Sequence, residues 1–471
     1  MKPLVALPDL NPPPDPVTEQ LTQAFTSQEE RLARIEPGWL VALRKAGIAR
    51  FADVGLPTLR DEDWRFTNLA PLQEHRFQPT LGRPTPDLPA EALDGLALGD
   101  LPGDRLVFVD GHHSPALSHI ASHGPGVVVE PFSLAMARNA DAIRITLGQH
   151  ADLTKSPFVA LNQACFSDGA FVRIPRGHRL DQPVHLLFVS TGRDPGIAIH
   201  PRNLLLLERD AGATIVEHYL SLADAPTLTN AVTEIVAGEN ARMEHIRLQD
   251  ESKTSFHFGF VRLQQAANSN VAAHCISLGA RLFRHEYDPS LDGPGAECVL
   301  NGLYLAKGRQ LADHHMVVDH AQPNCASHEY FNGILADQSR GVFHGRILIR
   351  PGAQKTDAKQ TNKNLLLSNE ARANSKPQLE IYADDVKCTH GATVGQLDPE
   401  AVFYLRARGI PEETARRMLV HSFAGEITHR IQHNGLREAL DEIVWDWLES
   451  LEAVQIGRRD GSGTHSVAHP H

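Results

Sequence analysis

Cysteine is scarce in this chain. Five stand in 471 residues, at Cys165, Cys275, Cys298, Cys325 and Cys388, an odd number with no C-x-x-C spacing. Such a set suits a reducing compartment better than a disulfide framework, so a cytoplasmic location is expected. Positive charge is also short: 45 Lys and Arg face 57 Asp and Glu, a net charge of −12. Nucleic acid as the main partner asks for a basic face, so it is not expected. No run of roughly 18 apolar residues exists, which excludes a transmembrane helix and leaves no membrane partner expected. The opening "MKPLVALPDLNPPPDP" carries only a short apolar run cut by prolines, so no export signal is read there. Also missing are GxxxxGK[ST], GxGxxG and HExxH. Any nucleotide chemistry must therefore come from another chain.

What is present divides into three parts and a tail. Residues 1–105 read as an N-terminal helical region with a Pro-rich linker, "RPTPDLPAEALDGLALGDLPGD". "PVTEQLTQAFTSQEERLARI" and "PGWLVALRKAGIARFADVG" have apolar residues at helical spacing, with Gly47 as a helix stop. Trp64, Phe66 and Leu69 are expected to pack. Residues 106–397 form the β core, where runs such as "ATIVEHYLS", "CVLNGLYLA", "GVFHGRILIR" and "QLEIYADD" alternate apolar and polar positions. Turn elements such as "GEN" at 238, "NSN" at 268, "GPG" at 293 and "PN" at 323 recur roughly every 25–30 residues, a solenoid spacing. A sandwich is the alternative. A β-helix accounts better for the period, because each coil buries its inner face by stacking on the next.

Residues 398–455 turn helical again, and 456–471 read as a disordered tail. In "IPEETARRMLVHSFAGEITHRIQHNG", Ala415, Met418, Leu419, Ser422 and Phe423 follow one helical stripe, and Asn434-Gly435 ends the run. Leu436, Leu440, Ile443, Val444, Trp447, Leu448 and Leu451 mark a second helix.

Cys388 and His390, in "YADDVKCTHGATVG", form the candidate site. Residues i and i+2 of a strand share a face about 7 Å apart, so the two side chains can converge on one ligand. Zinc takes at least three protein ligands, and this stretch offers two. The pair is half a metal site completed by another chain, a nucleophile with its base, or two packed residues. Asp384 and Asp385 read as a polar turn before the strand. His112-His113 reads as a solvated turn. His314 and His315 point to opposite faces of a strand and cannot share one ion. The other four cysteines read as core. His465, His469 and His471 in the tail are given no function.

The stretch from Gly341 to Ile427 then resembles the SufB/SufD family of iron–sulfur cluster assembly proteins. The carrying motifs, in order, are Q-x-x-x-N-L-L-L-S, E-I-x-A-D-D-V, C-x-H-G-A-T-V-G and F-Y-L-x-x-R-G-I-x-x-x-x-A. The wording is similar to the SufD branch, without the additional cysteine of SufB-type chains. The resemblance implies a right-handed parallel β-helix between N-terminal and C-terminal helical regions. It implies a scaffold rather than an enzyme, with SufB as partner through the end of the β-helix and SufC as the ATPase. It further implies that His390, and with less support Cys388, contributes to a transient iron–sulfur cluster shared with SufB. SufC would dock on the C-terminal region, at Tyr404, Leu405, Arg408, Gly409, Ile410, Met418 and Phe423. Competing readings are a SufB-type principal scaffold, a carbohydrate-active β-helix enzyme, which needs carboxylates converging on one face, and a homodimer paired through end strands.

Overall fold

A computed structural model describes residues 15–99 and 101–459, with side chains up to residue 451. Its centre is a parallel β-solenoid. From Arg202–Leu207 onward strands alternate between an eleven-stranded and a ten-stranded sheet, each pairing with the strand two further along rather than with its neighbour. In the ten-stranded sheet Arg242 lies opposite Asn270, Asn270 opposite Glu297, Glu297 opposite Ala326, Ala326 opposite Asp357, and Asp357 opposite Lys387. One coil therefore takes 27–31 residues over this stretch. The expected β-helix flanked by helices is the fold, and a sandwich is not.

The recurrent turn residues explain the period. Asp210, Asn240, Asn268, Gly295, Asn324 and Lys355 all adopt positive φ, between 54° and 73°. Each donates its backbone N–H to the corresponding turn of the next coil: Asn240 to Ala267 at 3.0 Å, Asn268 to Pro294 at 3.0 Å, Asn324 to Gln354 at 2.9 Å. Asn, Asp and Gly enter the left-handed region most readily, so four of the six positions are Asn or Asp and a fifth is Gly. The last rung runs from Lys355 to the carbonyl of Asp385 at 2.6 Å. Asp384 and Asp385 thus form the turn expected before the terminal strand.

Inward positions fill the solenoid with apolar columns. Phe108, Phe188 and Tyr219 stack with centroids 4.9 and 4.7 Å apart. The filling is not wholly apolar. Glu217 and Arg247 follow Leu186 in one inward column and lead to Cys275. The Glu217 carboxylate meets Arg247 Nε at 3.2 Å, His245 Nε2 at 2.9 Å and the Tyr219 hydroxyl at 2.6 Å, all with no side-chain exposure for the charged partners. Burial raises its pKa, but Arg247 and His245 outweigh that and hold it well below the ordinary carboxylate value.

The N-terminal helices Pro16–Ile35 and Gly38–Val54 pack near the helix Pro157–Cys165. Asp15 caps the first, accepting from Val17 and Thr18 N–H at 3.0 Å, with Pro16 in the first turn. Gly47 does not stop the second helix, which ends at Gly55 with φ +63°. A Cβ at Gly47 would lie 2.7 Å from the carbonyl oxygen of Ala160, so this glycine lets two helices approach closely. The Pro-rich stretch is packed rather than free: Leu88 and Leu93 are buried with Val107, Val109 and Leu187. Trp64 and Leu69 are buried as expected, but Phe66 is exposed. His112-His113 is no solvated turn either. It is a short strand paired with Asp104–Val109, where burial lowers the pKa of both rings and His112 Nε2 lies 2.9 Å from the Thr80 carbonyl oxygen.

The C-terminal helices are Pro399–Arg406, Glu412–Thr428 and Asn434–Arg459. Asn434-Gly435 opens the last helix instead of ending the one before it. Leu436, Leu440, Val444, Trp447 and Leu448 pack with Val216, Ile246, Ile276 and Ile334 on the outer face of the ten-stranded sheet. Ala415, Val420, Ala424 and Ile427 are buried along Glu412–Thr428, whereas Met418 and Ser422 are exposed. The packing face is thus rotated from the stripe read in sequence. The histidines of the tail, His465, His469 and His471, lie outside the described residues.

Candidate functional site at the open end of the solenoid

Every coil but the last has another stacked beyond it. Arg372–Ile381 and Lys387–Gly395 end their sheets and keep one unpaired edge each. Such edges are templates for another chain. Cys388 lies in register with Ala358, and His390 with Gln360, both of which are buried inside the solenoid. Cys388 and His390 therefore occupy inward columns of a coil that nothing covers. Cys388 is half-buried and touches the apolar cluster of Ile347, Ile349 and Ala358, while His390 is exposed.

Burial and the nearby Asp357 carboxylate push the Cys388 thiol up, offset in part by the Ala358 N–H. A thiol held protonated is a poor nucleophile and needs a metal or a cationic neighbour to become a ligand. No hydrogen bond joins Cys388 to His390, and neither that nor the protonated thiol favours a nucleophile with its base. The pair offers a soft sulfur and an imidazole on an uncovered coil, too few to close a metal site alone. The last coil also contributes to a groove lined by Glu62, Arg65, Phe66, Asn374, Lys376 and Val394. Ile381 and Tyr382 add exposed apolar surface at the same end.

The other four cysteines are at most 2% exposed, so Cys388 is the one thiol within reach of solvent or partner. A SufB-type arrangement with a second accessible cysteine is absent. Asp384 and Asp385 sit in the turn, not on a shared face, so the carbohydrate-cleaving reading loses its carboxylate pair.

The second expected surface is only partly open. Tyr404 and Met418 are 57% and 42% exposed, and Arg408 lies over the Tyr404 ring at 3.6 Å. Gly409 takes φ +86° to turn between the helices. Leu405, Ile410 and Phe423 are half-buried, and the Phe423 carbonyl accepts from Asn332 Nδ2 at 2.9 Å. Sequence reasoning missed Phe403, 71% exposed on an eight-residue helix whose sole buried residue is Val402. An aromatic pair on so short a helix was the available signal.

The fold is a two-sheet parallel solenoid whose last coil leaves a strand edge free in each sheet, with Cys388 and His390 on that coil. The comparisons with known proteins identify the class. Residues 188–423 match the model for the SUF system FeS cluster assembly SufBD core domain, and residues 16–186 match the SufBD protein N-terminal region. The chain belongs to the SufBD family of the SUF iron–sulfur cluster assembly system. It is 35% identical over 386 residues to the iron–sulfur cluster assembly protein SufD of Escherichia coli, covering 82% of this chain and 87% of that one. It is 33% identical over 425 residues to a SufBD family protein of Synechocystis, covering 88% and 93%. A SufD of Bacillus subtilis is 24% identical over 439 residues. Within the family the likeness is to SufD. No helix among the described residues is long and apolar enough to cross a membrane.

Proposed function

We propose that this chain is the SufD-type subunit of a cytoplasmic SUF complex, a non-enzymatic scaffold that meets SufB across the open end of its solenoid. The uncovered inward face bearing Cys388 and His390 carries the reading. An iron–sulfur cluster forming at that junction is cargo, so a partial ligand set on each chain holds it while leaving it free to depart. SufC, as the ATPase, engages the C-terminal surface around Phe403, Tyr404, Arg408 and Met418, and its motion is transmitted through the helices packed on the ten-stranded sheet. The Lys363–Glu426 ion pair at 2.7 Å is one such link between helix and solenoid.

The test is co-expression with SufB and SufC. His390→Ala lowers iron and sulfide loading of the purified complex while all three chains still co-purify. Unchanged loading rejects His390 as a contributor. A chain that recovers only as a homodimer in the presence of SufB rejects the partner assignment.

A further inference from the structure

His315 and His344 lie opposite each other on adjacent strands of the eleven-stranded sheet, on its outer face. Their rings meet edge to face with centroids 4.5 Å apart. The Glu62–Trp64 turn of the N-terminal region crosses above them and brings Asp63 to the pair. Candidate donor atoms of Asp63, His315 and His344 all lie within 4.8 Å of one another. His344 Nδ1 is 3.6 Å from Asp63 Oδ1, and His315 Nε2 is 3.8 Å from Asp313 Oδ1. These separations are too long for hydrogen bonds. The first, between two candidate ligands, is close to the roughly 3.4 Å edge of a tetrahedron of ligands about 2.1 Å from one ion.

Two buried polar atoms at the cluster have no partner: His344 Nε2 and Asp313 Oδ1. His344 is 7% exposed and Asp313 fully buried, so water does not reach them freely. The surroundings are firmly built. Arg284 Nη1 donates to the Asp63 carbonyl at 2.9 Å and to Asp313 Oδ2 at 2.6 Å, and its guanidinium lies 3.8 Å from the Trp64 ring centroid. Thr67 Oγ1 donates to the same Asp313 oxygen at 2.5 Å. One carboxylate oxygen is thus occupied, and the other is left beside His315. That oxygen is a buried anionic atom 3.8 Å from His315 Nε2 without a hydrogen bond of its own.

We propose that Asp63, His315 and His344 bind one divalent first-row transition ion, with the buried Asp313 carboxylate adding negative charge beside His315. Two imidazoles and one carboxylate select zinc, iron(II) or cobalt(II) over calcium and magnesium. Asp63, which is exposed, forms the entry side. The bound ion clamps the N-terminal turn to the last coils of the solenoid. This site lies on the outer face of the opposite sheet from Cys388 and His390 and contains no sulfur, so it is distinct from the cluster-handling pair.

The test is equilibrium dialysis of the full chain against Zn²⁺ and Co²⁺, comparing wild type with Asp63→Asn and His344→Gln. Wild type is expected to hold about one equivalent more than either variant, or to bind it at least about ten-fold more tightly. The difference cancels any metal taken by the histidines of the tail. Asp63→Asn replaces an exposed side chain and leaves the core untouched, which guards against loss through misfolding. Bound Co²⁺ should show visible bands of nitrogen and oxygen ligation that persist in Cys388→Ser. Equal stoichiometry and affinity in all three proteins overturns the proposal. So does a Co²⁺ spectrum made up only of thiolate charge transfer that vanishes in Cys388→Ser.

Discussion

Gln360 donates its side-chain amide to Oε2 of Glu329 at 3.1 Å, and the two stand in register below His390 in one inward column. Glu329 Oε1 has no partner. Burial pushes this carboxyl up to about 8, with Gln360 offsetting only part of the shift. The folded chain therefore keeps a proton that the unfolded chain has released above its ordinary value of 4.5. Stability falls as pH rises between those two values and levels off above the upper one. Glu329→Gln keeps the acceptor for Gln360 and removes the titration. Denaturant unfolding from pH 5 to 9 should show the variant gaining on wild type as pH rises, by roughly 2–5 kcal/mol at the top. Parallel profiles would show that Glu329 is not buried as described.

Cys388 offers a second titration. Asp357 contributes to holding its thiol protonated, after burial itself. Asp357→Asn should lower that pKa and speed alkylation of Cys388 by iodoacetamide near pH 8, by about two- to five-fold. The four buried cysteines provide no competing fast reaction. An unchanged rate would mean that the carboxylate does not act on the thiol.

The C-terminal surface calls for point substitutions rather than truncation. Removing the helices would uncover Val216, Ile246, Ile276 and Ile334 on the ten-stranded sheet. Phe403→Ala with Tyr404→Ala removes two exposed aromatics and leaves buried Val402 in place. Binding to SufC, measured by titration of the purified chains, should weaken at least about ten-fold, since exposed aromatics are common binding anchors. Full retention would move the docking surface elsewhere.

The solenoid was legible because its period is written in turn residues. Asn240, Asn268, Gly295 and Asn324 recur wherever the backbone must go left-handed, and alternation between turns marks strands. That Cys388 and His390 share one face was legible from their spacing, and the half-site proposed there rests on that placement and on the resemblance. Three things were hidden. Gly47 has the residue type of a helix stop and the role of a helix contact, which only the partner helix reveals. Met418 fits an apolar stripe, but the face that packs is chosen by the sheet beneath it. His315 and His344 are 29 residues apart in sequence and meet only through parallel register, with Asp63 arriving from a distant turn.

The interior charges were hidden for a related reason. In "ATIVEHYLS" alternation puts Glu217 on the face of Ile215 and Tyr219, where a carboxylate is not expected, and there it points inward to Arg247. A buried pair of this kind costs much to break and little to replace whole. Glu217→Leu leaves Arg247 and His245 without their carboxylate, and a loss of about 3–5 kcal/mol is expected. Arg247→Leu alone should cost a similar amount. The double variant should cost less than the sum of the two, by a coupling of about 1–3 kcal/mol in a denaturant-unfolding cycle. Because the Glu217 pKa is held below its ordinary value, its contribution is present above about pH 4.5 and fades as acid protonates the folded-state carboxylate. The wild-type advantage over Glu217→Leu should therefore be greatest near neutral pH and shrink below that point. Additive single losses with no acid dependence would show that the two charges do not support each other inside the solenoid.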